Sequence, residues 1–285
     1  MKIPGLGGEK LWSLLKKTFR SFFQSDMDTY AAAVAFQMLF AIFPFIIVFI
    51  AILGVLDLSG FYQVLYDQSE AVLPGDATEL IDQVIDEIEQ PTGALLPLAI
   101  LAALWLSSSA MRSATHALNI AYRVEENRPF WSQFLLSVVY TLGIAALLIL
   151  ALFFMITGPQ ALEWIAGLVG LDEAFILIWT WLRWPVAVVL LILTVGFIYY
   201  AAPNAKQKFR QIIPGSILSV LVWIGISIGF DFYMRTFVDL SILYGSIGAI
   251  IFLLLYFYIS AAVLLFGAKL NAVISHPAQN ISSSG

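Results

Sequence analysis

The sequence predicts an all-α polytopic membrane protein with six transmembrane helices, additional interfacial amphipathic helices, and both termini in the cytoplasm. Two segments near the C-terminal end, residues 211–230 and 240–268, contain no charged side chain. Each is long enough to span, because a helix needs about 20 apolar residues to cross the hydrocarbon core of a bilayer. The chain is 61% hydrophobic and 12% charged, whereas a soluble domain is about 25% charged. We therefore interpret residues 1–285 as a single membrane domain.

The N-terminal segment, residues 1–29, is interpreted as a cytoplasmic amphipathic segment ahead of the first span. Within it, residues 10–23 place apolar and aromatic side chains on one face of a helix and basic side chains on the rest. The basic residues are Lys10, Lys16, Lys17 and Arg20. This pattern is typical of a helix that lies on an anionic membrane surface. A helix that simply packs on the bundle is the alternative.

Six apolar segments form the predicted membrane bundle. They are residues 31–56, a segment near 93–111, a segment within 134–157, a segment near 184–202, and the segments 211–230 and 240–268. We expect Gly158 and Pro159 to end the third span, because proline interrupts the hydrogen-bond ladder of a helix. Residues 270–285 form the predicted cytoplasmic tail.

Residues 57–93 differ in kind from the spans, because they contain nine acidic residues and no lysine or arginine. Asp76 is a suitable N-cap residue, and Glu79 is its reciprocal partner in a capping box. The apolar residues that follow recur every three or four positions, which is the spacing of an amphipathic helix. We interpret this segment as an acidic, helical, external loop.

The orientation follows from the distribution of basic residues among the loops. In the six-span topology, twelve of the fourteen lysines and arginines lie on the side that holds both termini. Cytoplasmic loops carry an excess of lysine and arginine, so this side is predicted to be the cytoplasm. Fourteen of the nineteen acidic residues lie on the other side.

The sequence contains little that points to catalysis. It has no cysteine and only two histidines, which excludes disulfides and cysteine metal sites. No HExxH motif and no phosphate-binding glycine loop is present. The acidic residues of the external loop lack metal-ligand spacing, so a solvated face is the expected role. The net charge of −5 does not suggest nucleic-acid binding. The sequence therefore predicts no enzyme activity, no metal, no cofactor and no nucleic-acid partner.

Polar side chains within or beside the spans are the candidate substrate-binding residues, because burying them in hydrocarbon is costly. They are Gln37, Ser108, Arg112, Asn119, Asp231, Arg235, Asp239, Tyr244 and Ser246. For any single residue a purely structural role is the simpler interpretation, since a serine can bond back to its own helix. Together they predict one polar cavity shared by the first, second, fifth and sixth spans.

Three stretches carry a resemblance to a known family. They are WLSSSAMRSATHALNIAYRVEENRPFW, YYAAPNAKQKFRQIIPGSILSVLVW and YGSIGAIIFLLLYFYISAAVLLFGAKLNAVI. They resemble the YihY/BrkB family of bacterial inner-membrane proteins, formerly labelled ribonuclease BN. The resemblance implies a multi-pass protein of the bacterial plasma membrane with an envelope and virulence link and a transport-like activity. Lys269 stands where the family has an acidic residue, so no role of a carboxylate is carried over there.

These observations favour a transporter or flippase-like protein for a lipid or other envelope component, with membrane lipids as its surroundings and a lipid or amphipathic substrate. A membrane scaffold for envelope assembly, which recruits partners through the external acidic loop, is the alternative. A small-solute or ion carrier is the second alternative, although no buried acid pair marks a cation site.

Overall fold

The computed structural model describes residues 11–55, 95–169, 173–205, 207–237 and 245–275. Within these residues all regular secondary structure is helical, as the sequence predicts. The helices are α1 (Leu11–Gln24), α2 (Met27–Val55), α3 (Leu95–Tyr122), α4 (Phe130–Val169), α5 (Glu173–Ala201), α6 (Phe209–Phe237) and α7 (Gly245–Ser275). The acidic loop and the tail beyond residue 275 lie outside this part of the chain.

Four helices contain stretches that are long and apolar enough to cross a membrane. They are Phe130–Leu148 in α4, Trp181–Ala201 in α5, Phe209–Met234 in α6 and Ile250–Ser275 in α7. These helices coincide with four of the six predicted spans. The other two predicted spans fall on α2 and α3, which are 29 and 28 residues long. The six-span count and the cytoplasmic termini stay predictions.

The burial pattern is that of a protein surrounded by lipid. α4 packs on α5, α5 on α6, α6 on α7, and α7 on α1. Large apolar side chains such as Leu135, Leu221 and Ile228 are exposed on the outside, while polar side chains such as Ser216 and Asn271 are buried between helices. This inversion is expected in hydrocarbon, where polar groups must find partners inside the protein.

The predicted N-terminal helix is confirmed as α1, and it packs on the bundle. Leu14 contacts Leu270 and Val273 of α7, and the ring centroid of Phe22 lies 5.9 Å from that of Phe266. The basic side chains of α1 within the described part, Lys16, Lys17 and Arg20, are exposed. α1 therefore packs on the bundle, and contact of its basic side with a membrane surface stays a prediction.

The end of the third span differs from the sequence prediction. α4 runs without interruption from Phe130 to Val169, through Gly158 and Pro159, so the expectation that these two residues end the helix is wrong. A proline removes one backbone donor, and a membrane helix tolerates this loss where neighbouring groups satisfy the freed carbonyl. The last helix also extends past the predicted span, since α7 ends at Ser275.

A close contact between α6 and α7 is made possible by Gly215 and Gly267. A Cβ atom added to either glycine would lie closer than 3.0 Å to the backbone carbonyl oxygen of the other. Gly215 N–H donates to Asn271 Oδ1 at 2.7 Å, and Asn271 Nδ2 donates to the Ile212 carbonyl at 3.0 Å. Small residues thus let the backbones approach, and one buried amide joins both helices.

Tyr199 ties α5 into the same contact. Its side chain is fully buried, and its hydroxyl donates to the carbonyl of Leu264 at 2.5 Å. The same hydroxyl shares a hydrogen bond of 2.8 Å with Ser219 Oγ of α6. Three helices are therefore linked by side-chain hydrogen bonds that lie away from water.

The chain divides into two compact units. The first comprises Met1–Phe36 and Met111–Gly285, and the second comprises Gln37–Ala110. The helix packing and contacts given so far lie within the first unit. In the second unit, Ser109 Oγ donates to Gln37 Oε1 at 3.1 Å. This hydrogen bond connects α2 with α3.

The Gly215–Gly267 contact predicts a strong effect of one methyl group. Gly215→Ala should lower the stability of the detergent-purified protein by about 1–3 kcal/mol, the usual cost of overpacking, because the new Cβ meets backbone atoms of α7. The measurement is the thermal unfolding midpoint.

Gly225→Ala is the matched control, because a Cβ at Gly225 meets nothing within 4 Å in the described structure. Alanine is favoured over glycine in a helix by up to about 1 kcal/mol, so this variant should be neutral or slightly more stable. Equal midpoints for the two variants would contradict the close approach of α6 and α7.

Candidate functional site

The C-terminal end of α3 is closed by a turn that places an arginine in an unusual backbone conformation. Val124 N–H donates to the Asn119 carbonyl at 2.9 Å, and Arg123 N–H donates to the Ile120 carbonyl at 3.1 Å. This is the Schellman pattern, in which the residue after the helix adopts the left-handed conformation and is usually glycine. Here that residue is Arg123, with φ 57°.

Asn119 is the centre of a polar junction, which we define as Asn119, Glu126, Arg128, Ala202 and Asn204. The Asn119 side chain is buried. Its Nδ2 donates to Glu126 Oε2 at 2.7 Å, and its Oδ1 accepts the backbone N–H of Asn204 at 2.7 Å. One amide therefore connects the end of α3 with the segment that follows α5.

Glu126 and Arg128 complete the polar junction. Arg128 Nε and Nη2 donate to Glu126 Oε1 and Oε2, each at 2.6 Å, and Nη2 also donates to the Ala202 carbonyl at 3.1 Å. The hydrogen bonds from Arg128 hold the pKa of Glu126 below its usual range, although burial acts in the opposite direction. The hydrogen bond to Glu126 raises the pKa of Arg128. Because its polar groups already have partners, the polar junction is suited to holding helix ends together.

A small cavity of about 30 Å³ lies beside the polar junction, with Arg112, His116 and Asn119 in its lining. This volume is about that of one water molecule. The guanidinium carbon of Arg112 lies 5.4 Å from the centroid of the Phe134 ring, a distance at which a cation is attracted to an aromatic face. The cavity is too small for a lipid headgroup.

A larger cavity of about 380 Å³ is lined in part by Lys269, and we call it the Lys269 cavity. Its lining includes Ser21 of α1, Arg123, Lys208 and Lys269. Lys269 Nζ donates to Ser25 Oγ at 2.9 Å and to the Ala121 carbonyl at 3.4 Å. No acidic residue contributes to the lining within the described segments, so the cavity is cationic.

An apolar groove of about 440 Å³ lies on the other side of α1, between α1, α6 and α7. Its lining includes Phe19, Phe22, Leu218, Val222, Ala262 and Phe266. On α1, Ser21 lines the Lys269 cavity and the adjacent Phe22 lines the groove. On α7, Lys269 lines the cavity and Phe266 lines the groove. A cationic compartment and an apolar compartment are thus bordered by the same two helices.

The candidate residues in the second unit have nearby partners. Gln37 accepts the hydrogen bond from Ser109 described above, and Ser108 is buried with its Oγ donating to the Trp105 carbonyl at 2.8 Å. The bond of Ser108 to its own helix matches the structural role that any single serine can have.

The candidate residues of the first unit do not all lie together. Arg112 and Asn119 share the small cavity, whereas Asp231 is exposed on α6. Asp231 lies 22 residues along α6 from Phe209, about 33 Å at the usual helical rise, while Asn204 of the polar junction lies just before the start of α6. The side chains of Arg235 and Ser246, and all of Asp239 and Tyr244, lie outside the described structure. One site shared by all nine residues stays a prediction.

Sequence reasoning did not identify Lys269 as a site residue, and used it only as one of the basic residues on the predicted cytoplasmic side and as a departure from the family pattern. The structure buries it, with 1% of its surface exposed. A lysine that directly follows the uncharged run 240–268 is a detectable signal, since a charge in a membrane helix marks function by default.

The sequence also contains a GxSxG string at Gly225–Gly229, a motif that sequence reasoning wrongly held to be absent. The hydrolase motif requires a sharp turn from a strand into a helix. Here the string lies in the middle of α6, and Ser227 Oγ donates to the Trp223 carbonyl at 2.8 Å. It therefore lacks the structural context of a nucleophile.

The polar junction predicts an acid-sensitive contribution to stability. At pH 7, Glu126→Gln should cost about 1–2 kcal/mol, because it leaves the Arg128 guanidinium half-buried without its charge partner. The pKa of Glu126 is lowered in the fold, so the stabilisation is complete above the unfolded value of about 4.3 and is lost as the pH falls through the lower folded value. The midpoint of thermal unfolding, compared between the wild type and Glu126→Gln at several pH values, measures this stabilisation.

Glu125→Gln is the control, because Glu125 is a neighbouring carboxylate with an exposed side chain. It should leave the unfolding midpoint unchanged at pH 7. The ion pair would not be the source of the effect if the unfolding midpoint of Glu126→Gln is as far below that of the wild type at low pH as at pH 7.

Comparison with known proteins agrees with this architecture. Residues 18–284 match the family model described as virulence factor BrkB. A ribonuclease-like protein of Bacillus subtilis, YfkH, is 32% identical over 263 residues, which cover 92% of this chain and 95% of YfkH. No solved structure matches the chain.

Longer relatives are named UPF0761 membrane proteins. One from Chromohalobacter salexigens is 27% identical over 95% of this chain and 66% of its own length. One from Xanthomonas campestris pv. campestris is 26% identical over 90% of this chain and 59% of its own length. The chain thus spans about two thirds or less of these proteins. The matches and the apolar helices indicate a multi-pass inner-membrane protein, and the chain belongs to the YihY/BrkB family that the sequence resembles.

Proposed function

We propose that this protein is a transporter or flippase-like protein for a lipid or another amphipathic envelope component. One observation carries the proposal: the cationic Lys269 cavity and the apolar groove lie on either side of α1 and are both bordered by α7. An amphipathic molecule needs a polar and an apolar environment at a short distance from each other, and this pair of compartments provides both.

The sizes of the compartments are compatible with this use. Ligand pockets have volumes of about 300–1,000 Å³, and these two measure about 380 and 440 Å³. The groove is lined by aromatic and aliphatic side chains, which suit a hydrocarbon chain. α1 presents Lys16, Lys17 and Arg20 on its exposed side, and basic residues there favour anionic lipids near the groove.

The proposal is non-enzymatic. A ribonuclease that uses metal ions needs carboxylates that converge on them, and no group of three histidine, aspartate or glutamate side chains suited to a metal ion occurs in the described part of the chain. The ribonuclease-like name belongs to the relative YfkH. Incubating the purified protein with RNA tests whether it is an enzyme. RNA cleavage that is lost when a residue of this protein is substituted would contradict a non-enzymatic function.

Filling the apolar groove should impair transport. Ala262 lines the groove, and Ala262→Trp places a large ring where a hydrocarbon chain would lie. In liposomes that contain a fluorescent phospholipid, we expect the rate of transbilayer movement to fall about tenfold, which corresponds to the loss of about 1.4 kcal/mol of favourable interaction.

Ala146→Trp is the control, because Ala146 is an exposed alanine of α4 that lies outside the groove. It should move lipid at the wild-type rate. No lipid movement by the wild-type protein, in liposomes where a known flippase is active, would refute the proposed transport. A protein that moves no lipid but retains a stable cross-linked partner in cells would instead be the scaffold.

A further inference from the structure

We infer that the Lys269 cavity is a binding site for a phosphate group. The inference rests on the proposed function only for the source of that phosphate, since a lipid headgroup is one possible source and a free phosphate is the other. The first observation is the burial of Lys269 without a counter-charge from any residue that the structure describes. Its ammonium bonds to one hydroxyl and one carbonyl, and no acidic residue lines the cavity in the described segments.

A buried cation with only neutral partners is energetically unfavourable. Removing an ammonium from water costs several kcal/mol, and neutral hydrogen bonds recover only part of that cost. An ammonium has three donors, and an anion in the adjoining cavity would satisfy the third and supply the missing charge. Burial of Lys269 therefore favours an anionic ligand.

Two further cations line the same cavity, Arg123 and Lys208, and both are exposed. Arg123 occupies the left-handed position at the end of α3, where glycine would be less strained. Strained residues of this kind concentrate at functional sites. An arginine at this position costs backbone energy but adds a positive charge to the cavity, which agrees with a role in anion binding.

Two neutral polar side chains that line the cavity also lack hydrogen-bond partners among the described residues. Both polar atoms of the Gln207 amide and the Ser275 hydroxyl are buried without a hydrogen bond in the described structure, and both residues line the cavity. The Gln207 amide approaches the Tyr122 hydroxyl without reaching hydrogen-bond geometry. Buried polar groups are normally paired, so the Gln207 Nε2–H and Ser275 O–H donors are available to a ligand with several acceptor oxygens.

A phosphate group fits this set of donors better than a carboxylate does. It carries a charge of about −1.5 to −2 and three strong acceptor oxygens as a monoester. Counting only described residues, the cavity offers three cationic side chains and two neutral side chains with an unpartnered donor. Its volume of about 380 Å³ leaves room for the group that the phosphate is attached to.

The test measures binding to the full chain purified in detergent by isothermal titration calorimetry. The probes are inorganic phosphate and a short-chain phosphatidic acid. Lys269→Met should weaken binding at least about 30-fold, as expected for one member of a buried charge pair, and should raise the unfolding midpoint without ligand because it removes an uncompensated charge. Arg123→Gly should weaken binding about two- to fivefold, as expected for an exposed charge.

Arg210→Gln is the matched control. Arg210 is an exposed arginine close in sequence to Lys208, but it does not line the cavity, so this variant loses the same charge as Arg123→Gly and should bind like the wild type. Tight binding of inorganic phosphate would identify a free phosphate as the source, and binding of phosphatidic acid alone would identify a headgroup. Both outcomes support the site.

The inference is overturned if the wild type binds neither probe, or if Lys269→Met and Arg123→Gly bind as the wild type does. The proposed function can fail separately. Phosphate binding that depends on Lys269 in a protein that moves no lipid would refute transport and retain the site. Lipid movement that is sensitive to Ala262→Trp, without binding of either probe, would retain transport and refute the site.

Discussion

In hydrocarbon, a polar group has no water to bond, so it must find its partner within the protein. The contact among α5, α6 and α7 shows how this protein meets that constraint. Tyr199, Ser219 and Asn271 bond across helices or to the backbone of a neighbouring helix. These bonds require short distances between helix axes, and Gly215 and Gly267 make the distances possible. The arrangement of these three helices depends on this combination of glycines and buried polar side chains.

The Lys269 cavity and the apolar groove both lie beside α1. Near the start of α6 and the end of α7, loops and helix ends bring lysine and arginine side chains to the Lys269 cavity. On the other side of α1 the same helices present aromatic rings to the apolar groove. α1 therefore does more than cover the bundle, because it separates a cationic compartment from an apolar one. This division is the physical basis of the proposed handling of an amphipathic molecule.

The candidate site illustrates how far sequence reasoning extends. Asn119 was identified as a polar residue next to a span, and it does occupy a structured polar site. Its partners, Glu126 and Asn204, are 7 and 85 residues away, and no periodicity in a single sequence indicates such a distant contact. The interruption expected at Pro159 did not occur, because a local rule for proline does not include the neighbours that can compensate for it. Lys269 was used only as a basic residue of the predicted cytoplasmic side and as a departure from the family pattern, because a single sequence does not show which other helices bury a side chain.

The sequence by itself determined that the chain is helical and is an integral membrane protein, because its apolar segments are long and uncharged and such segments are stable mainly in a bilayer. It also determined the amphipathic character of α1, and the bias of basic residues to one side holds for the predicted six-span topology. Only the tertiary structure decided which polar groups meet, which glycines permit close approach, and that Lys269 is buried in a cavity lined by other cations. The reason is that a side chain's energy in lipid depends on partners supplied by other helices, and these partners are specified by packing rather than by sequence neighbours.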